Sequence, residues 1–305
     1  MTAQVTNALQ ARRVEGLLWL DLTRKCQLNC GHCYNASGPE GTHGALRSKE
    51  WVAVVDEAAS RGIVRVQLIG GEPTLHPDAL TVARHALIVG MELEVFTNLV
   101  RVTDDWWQVF QGKRTTLATS YYSDQSAEHN RITGRSSHSR TRANIVKALE
   151  LGIDPVVSII DCGDQQRVGQ ARAELAALGV TRFKVDRLRP FGRAACGSSQ
   201  SADLSGLCGK CGTDRATVGP DGSVSPCVFT PSLSVGNVLD DGLGSVLDGP
   251  VMSATRELIR KSVRSGGAGY DGGGEGDDDG NKCNPGTIPD ECTPGYPGTE
   301  CSPRN

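Results

Sequence analysis

The sequence predicts an α/β fold in which a parallel sheet is followed by a smaller cysteine-rich region. From about residue 16 to residue 190, short apolar runs alternate with longer amphipathic runs, and a glycine follows several of the amphipathic runs where a helix should end. After Phe191 the amino-acid composition changes, and Gly, Ser and Cys become frequent. Six β-α units in a row indicate a parallel sheet, open or closed into a partial barrel.

The spacing of apolar residues and the positions of turn-forming residues predict the individual elements. Runs rich in β-branched residues predict strands at Leu17–Leu22, Val64–Ile69, Glu92–Thr97, Thr115–Ser120, Pro155–Ile160 and Arg182–Asp186. Amphipathic runs predict helices at Ser48–Arg61, Pro77–Val89, Asp104–Gln111, Thr141–Leu151 and Gln165–Leu178. The turn Pro220-Asp221-Gly222 predicts a hairpin, and a single helix is expected near Met252–Val263.

These elements divide the chain into five parts. The stretch 265–281 is too polar and Gly-rich to bury a core, and we interpret it as a flexible linker. The expected parts are an N-terminal extension (1–15), the β-α region (16–190), the cysteine-rich α+β region (191–264), the linker (265–282) and a Cys/Pro-rich tail (283–305).

Composition limits the classes of function. The chain has 305 residues and a formal net charge of −3, which gives no general basic surface for nucleic acid. No apolar run of about 18 residues or signal peptide is visible, so we expect a cytoplasmic protein that binds neither membrane nor nucleic acid. Eleven cysteines in such a chain indicate metal or thiolate chemistry rather than disulfides.

Three cysteines follow the first predicted strand. Cys26, Cys30 and Cys33 lie on a loop at the carboxyl edge of the sheet, where α/β proteins place their ligands. Three thiolates on a cubane of four irons leave one iron open to a small molecule. A zinc site is the alternative, but it needs a fourth ligand, and His32 is too close in the chain to serve.

The second predicted strand ends in Gly70-Gly71-Glu72-Pro73. Together with the C-x3-C-x2-C loop, this pattern resembles the radical S-adenosylmethionine (radical SAM) superfamily over residues 16–190. The resemblance implies a partial (β/α)6 radical SAM barrel and a 4Fe-4S cluster held by Cys26, Cys30 and Cys33. It also implies S-adenosylmethionine on the open iron, cleaved to a 5′-deoxyadenosyl radical that abstracts hydrogen from a substrate.

The resemblance further implies contacts to S-adenosylmethionine. Gly70, Gly71, Glu72 and Pro73 would cradle its amino end, and Asn98 and Ser120 would contact its ribose and carboxylate. Asn98 and Ser120 could equally cap turns. His32 stands where family members usually have an aromatic residue that contacts adenine.

A second cysteine set follows the barrel. Cys208, Cys211 and Cys227 surround the predicted hairpin, and this region resembles the SPASM or shorter "twitch" extension of radical SAM enzymes. The resemblance implies at least one auxiliary 4Fe-4S cluster, with Cys283 from the tail as the fourth ligand. Cys292 and Cys301, together with Cys196, are the thiols left for a second auxiliary cluster. A structural zinc site is the alternative.

Other polar residues lie at strand ends. Cys162 follows the fifth strand and could donate a hydrogen atom to a substrate radical, although a plain strand-end residue is the simpler interpretation. Asp161 and Asp186 could order substrate or cap helices. An arginine between residues 129 and 142 could pair with the carboxylate of the cofactor.

The resemblance implies a maturase that modifies a ribosomally made precursor peptide by cross-linking or epimerisation. Its expected partners are the peptide, an external electron donor of flavodoxin or ferredoxin type, and a separate leader-recognition protein if one is needed. Two alternatives stay open: a radical SAM dehydrogenase or epimerase acting on a sugar or aminocyclitol, and a non-catalytic iron–sulfur or zinc protein.

Overall fold

Nine strands and eight helices make up the described part of the computed structural model, which comprises residues 16–163, 165–188, 191–195, 204, 207 and 209–265. The strands are β1 (Leu17–Asp21), β2 (Arg65–Ile69), β3 (Glu92–Phe96), β4 (Thr115–Tyr121), β5 (Val156–Asp161), β6 (Arg182–Arg187), β7 (Arg215–Val218), β8 (Ser223–Ser225) and β9 (Gly236–Asn237). The helices are α1 (Ser48–Ser60), α2 (Ala79–Ile88), α3 (Asp104–Phe110), α4 (Ser126–Thr133), α5 (His138–Glu150), α6 (Val168–Leu178), α7 (Val238–Asp248) and α8 (Pro250–Ser265).

All nine strands belong to one sheet with the order β6-β5-β4-β3-β2-β1-β7-β8-β9. Strands β1 to β6 pair in parallel in sequence order, and β7 pairs in parallel with the other side of β1. Strand β8 then pairs antiparallel with β7, and β9 pairs antiparallel with β8. The sheet is open, which confirms the expected α/β fold with a partial barrel.

The two faces of β1 belong to different apolar clusters because side chains alternate along a strand. Leu18 and Leu20 pack in the main core with α1, α2 and strands β2 to β5. That core continues into Val218 and Val224 of the hairpin. On the other face, Trp19 packs in a second cluster that contains Cys211, Cys227, Phe191, Phe229 and Ile259. The barrel and the cysteine-rich region therefore share both a sheet and a core.

The structure differs from the predicted elements in two places. Helix α4 was not predicted, because its buried residues include His129 and Thr133, which break the apolar period of an amphipathic helix. The helix expected near Met252–Val263 is present as α8, but it is not single in this region, because α7 precedes it and was not predicted. Gly242 interrupts α7 with φ 72° and ψ 156°, and the glycines of this stretch obscured it in the sequence.

Several predicted parts lie outside the described residues: the extension 1–15, the tail 283–305, the linker after Ser265, and Cys196, Cys208, Cys283, Cys292 and Cys301. Ser265 itself ends α8 rather than beginning a linker. None of the described helices has the length and apolar character needed to span a membrane.

Candidate metal and cofactor site

The cysteine loop follows β1 at the carboxyl edge of the sheet. Its backbone is held at both ends: Cys26 N donates to Gly38 O at 3.0 Å, and Asn29 N donates to Thr133 O of α4 at 3.0 Å. Lys25 and Gly38 also form an isolated parallel bridge. The loop is therefore fixed to its own return segment and to the helix after β4.

The three thiols of the cysteine loop line a single cavity. The residues that line it include Cys26, Cys30, Cys33, Gly70, Gly71, Asn98, Ser120, His32, Tyr34, Tyr122, His129, Thr133, Thr141, Asp186, Leu188, Arg193 and Phe229. Burial, with smaller contributions from Glu72 and Cys33, raises the pKa of Cys26 to about 12. Burial and the neighbouring thiols also raise the pKa of Cys30. Buried thiols of this kind become thiolates when a cationic centre compensates their charge.

The thiols suit a cluster better than one metal ion. Among the described residues, no three His, Cys, Asp or Glu side chains are grouped to hold a single ion. An iron–sulfur cubane binds each thiolate through a different iron atom, so its ligands need not converge on one point. The donor set therefore fits a cluster, with Cys26 buried and Cys30 and Cys33 partly buried.

The two glycines after β2 allow the approach of another loop. Gly70 has φ +142°, and a Cβ there would lie 2.6 Å from Thr23 O. A Cβ on Gly71 would lie 2.4 Å from Lys25 O. Gly71 N donates to Thr23 O at 2.7 Å. The glycines thus bring the β2 loop against the start of the cysteine loop while lining the cavity.

Glu72 is fully buried and lies behind the cavity wall. Its carboxylate accepts hydrogen bonds from Thr97 Oγ1 at 2.7 Å, Asn98 N at 2.8 Å and Thr74 Oγ1 at 2.7 Å. Burial raises its pKa despite these bonds. Glu72 and Pro73 are not among the lining residues, so the carboxylate joins the β2 and β3 loops instead of facing the cavity.

Asn98 and Ser120, which lie at strand ends, both line the cavity. The Asn98 amide donates to Cys26 Sγ at 3.6 Å and accepts from Gln27 Nε2 at 2.9 Å. Its Oδ1 also accepts from Val100 N at 3.0 Å, which is the turn-capping role. Asn98 therefore positions the first thiol and caps its own turn.

Sequence reasoning missed an aromatic and imidazole wall. Tyr122 lies two residues after Ser120, and its hydroxyl lies 3.1 Å from His32 Nε2. Burial lowers the pKa of His32 to about 4, so the imidazole is neutral near pH 7. The sequence held a signal for this wall, because side chains two residues apart along a strand lie on the same face. This rule places Tyr122 beside Ser120 at the carboxyl edge of the sheet.

Sequence reasoning also missed Arg193. Its backbone N donates to Cys33 O at 2.9 Å, and its Nε donates to Cys30 O at 2.8 Å. A Cβ on the preceding Gly192, at φ +58°, would lie 2.2 Å from Tyr34 O. Residues 192–195 thus close over the cysteine loop, and Arg193 is the cation among the described lining residues.

The remaining candidates lie elsewhere. Cys162 is absent from the described lining residues and packs beside Tyr122, Ile132 and Ile160. Asp161 accepts from Gly163 N at 3.0 Å, which is a capping role, whereas Asp186 lines the cavity. Of the arginines between residues 129 and 142, one of which was expected to pair with the cofactor carboxylate, two are paired within the protein: Arg131 with Glu128 at 3.9 Å and Arg142 with Glu174 at 2.6 Å.

The second cysteine set is described in part. Cys211 and Cys227 are both buried, and Gly212 N donates to Pro226 O at 3.0 Å, which brings their two segments together. Phe229 stacks on Phe191 and contacts the Tyr34 ring edge-on at 5.4 Å. Because Tyr34 follows Cys33 directly, this aromatic group joins the two cysteine regions.

Two family models match the chain. The model of the radical SAM superfamily matches residues 20–168, and the model of an iron–sulfur cluster-binding domain, SPASM, matches residues 208–267. This chain is therefore a radical SAM protein with a C-terminal SPASM domain. These domains bind a 4Fe-4S cluster with S-adenosylmethionine and an auxiliary iron–sulfur cluster, respectively, which confirms the expected cofactors.

The chain is similar to several relatives in sequence and to solved structures in fold. PqqA peptide cyclase of Rhodopseudomonas palustris is 37% identical over 81 residues, which are 27% of this chain and 22% of the relative. PqqA peptide cyclase of Methylocella silvestris is 26% identical over 182 residues, 58% of this chain and 48% of the relative. The structure of Streptococcus suis SuiB bound to its precursor peptide SuiA shares the fold, with TM-score 0.67 and 15% identity, covering 79% of this chain and 66% of SuiB. The chain spans about a fifth to a half of the curated relatives it matches.

Proposed function

We propose that this chain is a radical SAM enzyme that modifies a ribosomally synthesised precursor peptide. The observation that carries the proposal is the cavity at the carboxyl edge of the sheet, where Cys26, Cys30 and Cys33 lie beside Gly70 and Gly71. The peptide substrate is supported by relatives that are named peptide cyclases and by a neighbour solved with its precursor peptide.

In this proposal, Cys26, Cys30 and Cys33 hold the cluster that binds S-adenosylmethionine. When bound there, the two cofactors supply the 5′-deoxyadenosyl radical that abstracts hydrogen from the substrate. Gly70, Gly71 and the neighbouring Asn98 and Ser120 form the wall for S-adenosylmethionine, while Glu72 holds that wall from behind. The protein contributes placement and the exclusion of water.

The auxiliary cluster is assigned to Cys208, Cys211 and Cys227, with Cys283 as the fourth ligand. The burial of Cys211 and Cys227 supports this assignment. Metal analysis tests it: two cubanes give about eight irons per chain. About four irons with one zinc would contradict the auxiliary cluster. An external electron donor of flavodoxin or ferredoxin type and, if needed, a separate leader-recognition protein complete the proposed system in the cytoplasm.

Co-expression with a neighbouring precursor peptide in deuterated water tests the reaction. Mass spectrometry should show either loss of two hydrogens, from a cross-link, or gain of one deuterium without loss, from epimerisation. An unchanged peptide, together with 5′-deoxyadenosine formed on a sugar or aminocyclitol, would favour the small-molecule enzyme. Reduced protein that forms no 5′-deoxyadenosine with any substrate would contradict enzymatic function.

A further inference from the structure

A chain of titratable side chains runs from the cavity to the outside of the barrel. His129 lines the cavity and is 1% exposed. Its ring contacts the rings of Tyr121 and Tyr122 from β4 and its following residue, each at 5.3 Å, and the ring of His138 from α5 at 5.2 Å. These are the titratable groups that pack against it.

The side chains of this series that lie farther from the cavity are joined by hydrogen bonds. Tyr121 Oη lies 2.8 Å from His138 Nε2 and donates to Glu174 Oε2 at 2.7 Å. The other oxygen of Glu174 accepts from Arg142 Nε at 2.6 Å. Glu174 and Arg142 are partly exposed, with side-chain exposures of 20% and 40%. The network therefore connects His138 and Tyr121 to solvent, whereas among the described residues His129 reaches it only through ring contacts.

His129 itself lacks a hydrogen-bond partner at one ring nitrogen. Nδ1 is buried and has no partner, whereas His138 in the same group is bonded to Tyr121. A buried polar atom without a hydrogen-bond partner carries an energetic cost. Its position in the wall of the reaction cavity indicates that the cost is tolerated for a chemical role.

We propose that His129 accepts the proton that the substrate releases during cross-link formation. The inference rests on the proposed function and narrows it to the cross-link. One hydrogen atom leaves the substrate carbon for the deoxyadenosyl radical. When the carbon radical bonds to a second substrate atom, the hydrogen on that atom leaves as a proton to His129, and one electron passes to the auxiliary iron–sulfur cluster.

The electrostatics of the cavity suit a transient acceptor. Burial, assisted by His138, lowers the pKa of His129 to about 3. The imidazole is therefore neutral at working pH, with a ring nitrogen available to accept a proton. A buried carboxylate in the same cavity, Asp186, is the competing acceptor.

The test compares the reconstituted enzyme with its His129→Ala and His129→Gln variants, using the precursor peptide as substrate. Loss of a general base lowers product formation by at least about tenfold. We expect 5′-deoxyadenosine formation, iron content and melting temperature to stay near the wild-type values, so that cleavage is uncoupled from product. Added imidazole should restore product in His129→Ala but not in His129→Gln.

His85→Gln is the matched control, because His85 pairs with Asp56 at 2.6 Å away from the cavity. It should behave as the wild type does. Product and 5′-deoxyadenosine that fall together in the His129 variants, without imidazole rescue, would overturn the inference in favour of a structural role. Wild-type product yield in these variants, or uncoupling by Asp186→Asn alone, would also overturn it.

Failure of the proposed function gives a different result. A wild-type enzyme that leaves every peptide unchanged would remove the peptide-modifying function and the inference together. A wild-type enzyme that epimerises its peptide would overturn only the proton acceptor, since epimerisation releases no net proton.

Discussion

The absence of a Cβ atom at Gly71 allows the cysteine loop to pack against the β2 loop. We expect Gly71→Ala to lower reconstituted iron by about half or more, because its Cβ would lie 2.4 Å from Lys25 O and push the cysteine loop away. Gly31→Ala is the matched control, since Gly31 lies between Cys30 and His32 and a Cβ there meets nothing within 4 Å. Iron analysis after reconstitution measures both. Equal iron in the two variants would show that the contact does not matter.

Glu72 has a structural role that its motif conceals. Glu72→Gln replaces one acceptor oxygen with a donor group, so either Asn98 N or Thr97 Oγ1 loses its partner. We expect the free energy of unfolding to fall by about 2 kcal/mol in urea titrations. The exposed Glu92→Gln, which removes a surface pair with Arg65, should change it by less than about 0.5 kcal/mol. A loss of S-adenosylmethionine affinity at unchanged stability would instead place the carboxylate at the cofactor.

At the scale of elements, Asp124 ties the loop after β4 to the start of α6. Arg167 donates to both of its carboxylate oxygens at 2.8 Å, and this pairing lowers the pKa of Asp124 to about 2 from its usual 3.8. A depressed carboxyl pKa adds stability that is present above pH 3.8 and is lost as the pH falls toward 2.

Asp124→Asn should therefore be less stable than the wild type by at most about 1 kcal/mol at neutral pH, because the pair is partly exposed. The difference should be constant down to about pH 5 and shrink between pH 4 and pH 2. Denaturant midpoints measured across this range check the prediction. Asp105→Asn, which breaks the more exposed pair with Arg84, is the control. A difference that grows as the pH falls would have the wrong sign.

The elements also show which parts of the fold the sequence predicts. Strands β1 to β6 have short β-branched runs, and their order follows from local β-α connections, so both were predictable. Helix α4 was not, because His129 and Thr133 occupy its buried face. Because the carboxyl ends of parallel strands meet at one edge of a sheet, the sequence predicted that Cys26, Gly70, Asn98 and Ser120 lie close together. The orientation of the Glu72 side chain could not be predicted, since a loop motif does not show which way a side chain points.

For the whole molecule, β1 is the strand that joins the two domains. Val218 of β7 packs in the same core as Leu18 and Leu20, so the domains should unfold together. We expect one transition in urea, with coincident midpoints for tryptophan fluorescence and far-ultraviolet circular dichroism. Val218→Ala should move both signals together by about 1 to 3 kcal/mol. Leu239→Ala, at a side chain 52% exposed, should leave them unchanged. Two separate transitions would contradict a shared core.

The pairing of β7 with β1 could not be predicted from the sequence. Nearly 200 residues separate Leu18 from its partner Ala216, and neither strand carries a pattern that selects the other. The expected domain limits at 190 and 191 follow composition, whereas the sheet and core continue across them. Non-local pairing of this kind depends on burial that only the completed fold provides.

The closure of residues 192–195 over the cysteine loop also sets an order of events during synthesis. Arg193 contacts the carbonyl of Cys30, which lies 163 positions earlier in the chain. The ribosome therefore releases all three cysteines long before it makes the segment that packs on the backbone of Cys30 and Cys33. At about 5 to 20 residues per second, the loop stays uncovered for roughly ten seconds or more. A nascent chain stalled before residue 192 should expose these thiols to alkylation, and iron delivery has this interval in which to reach them.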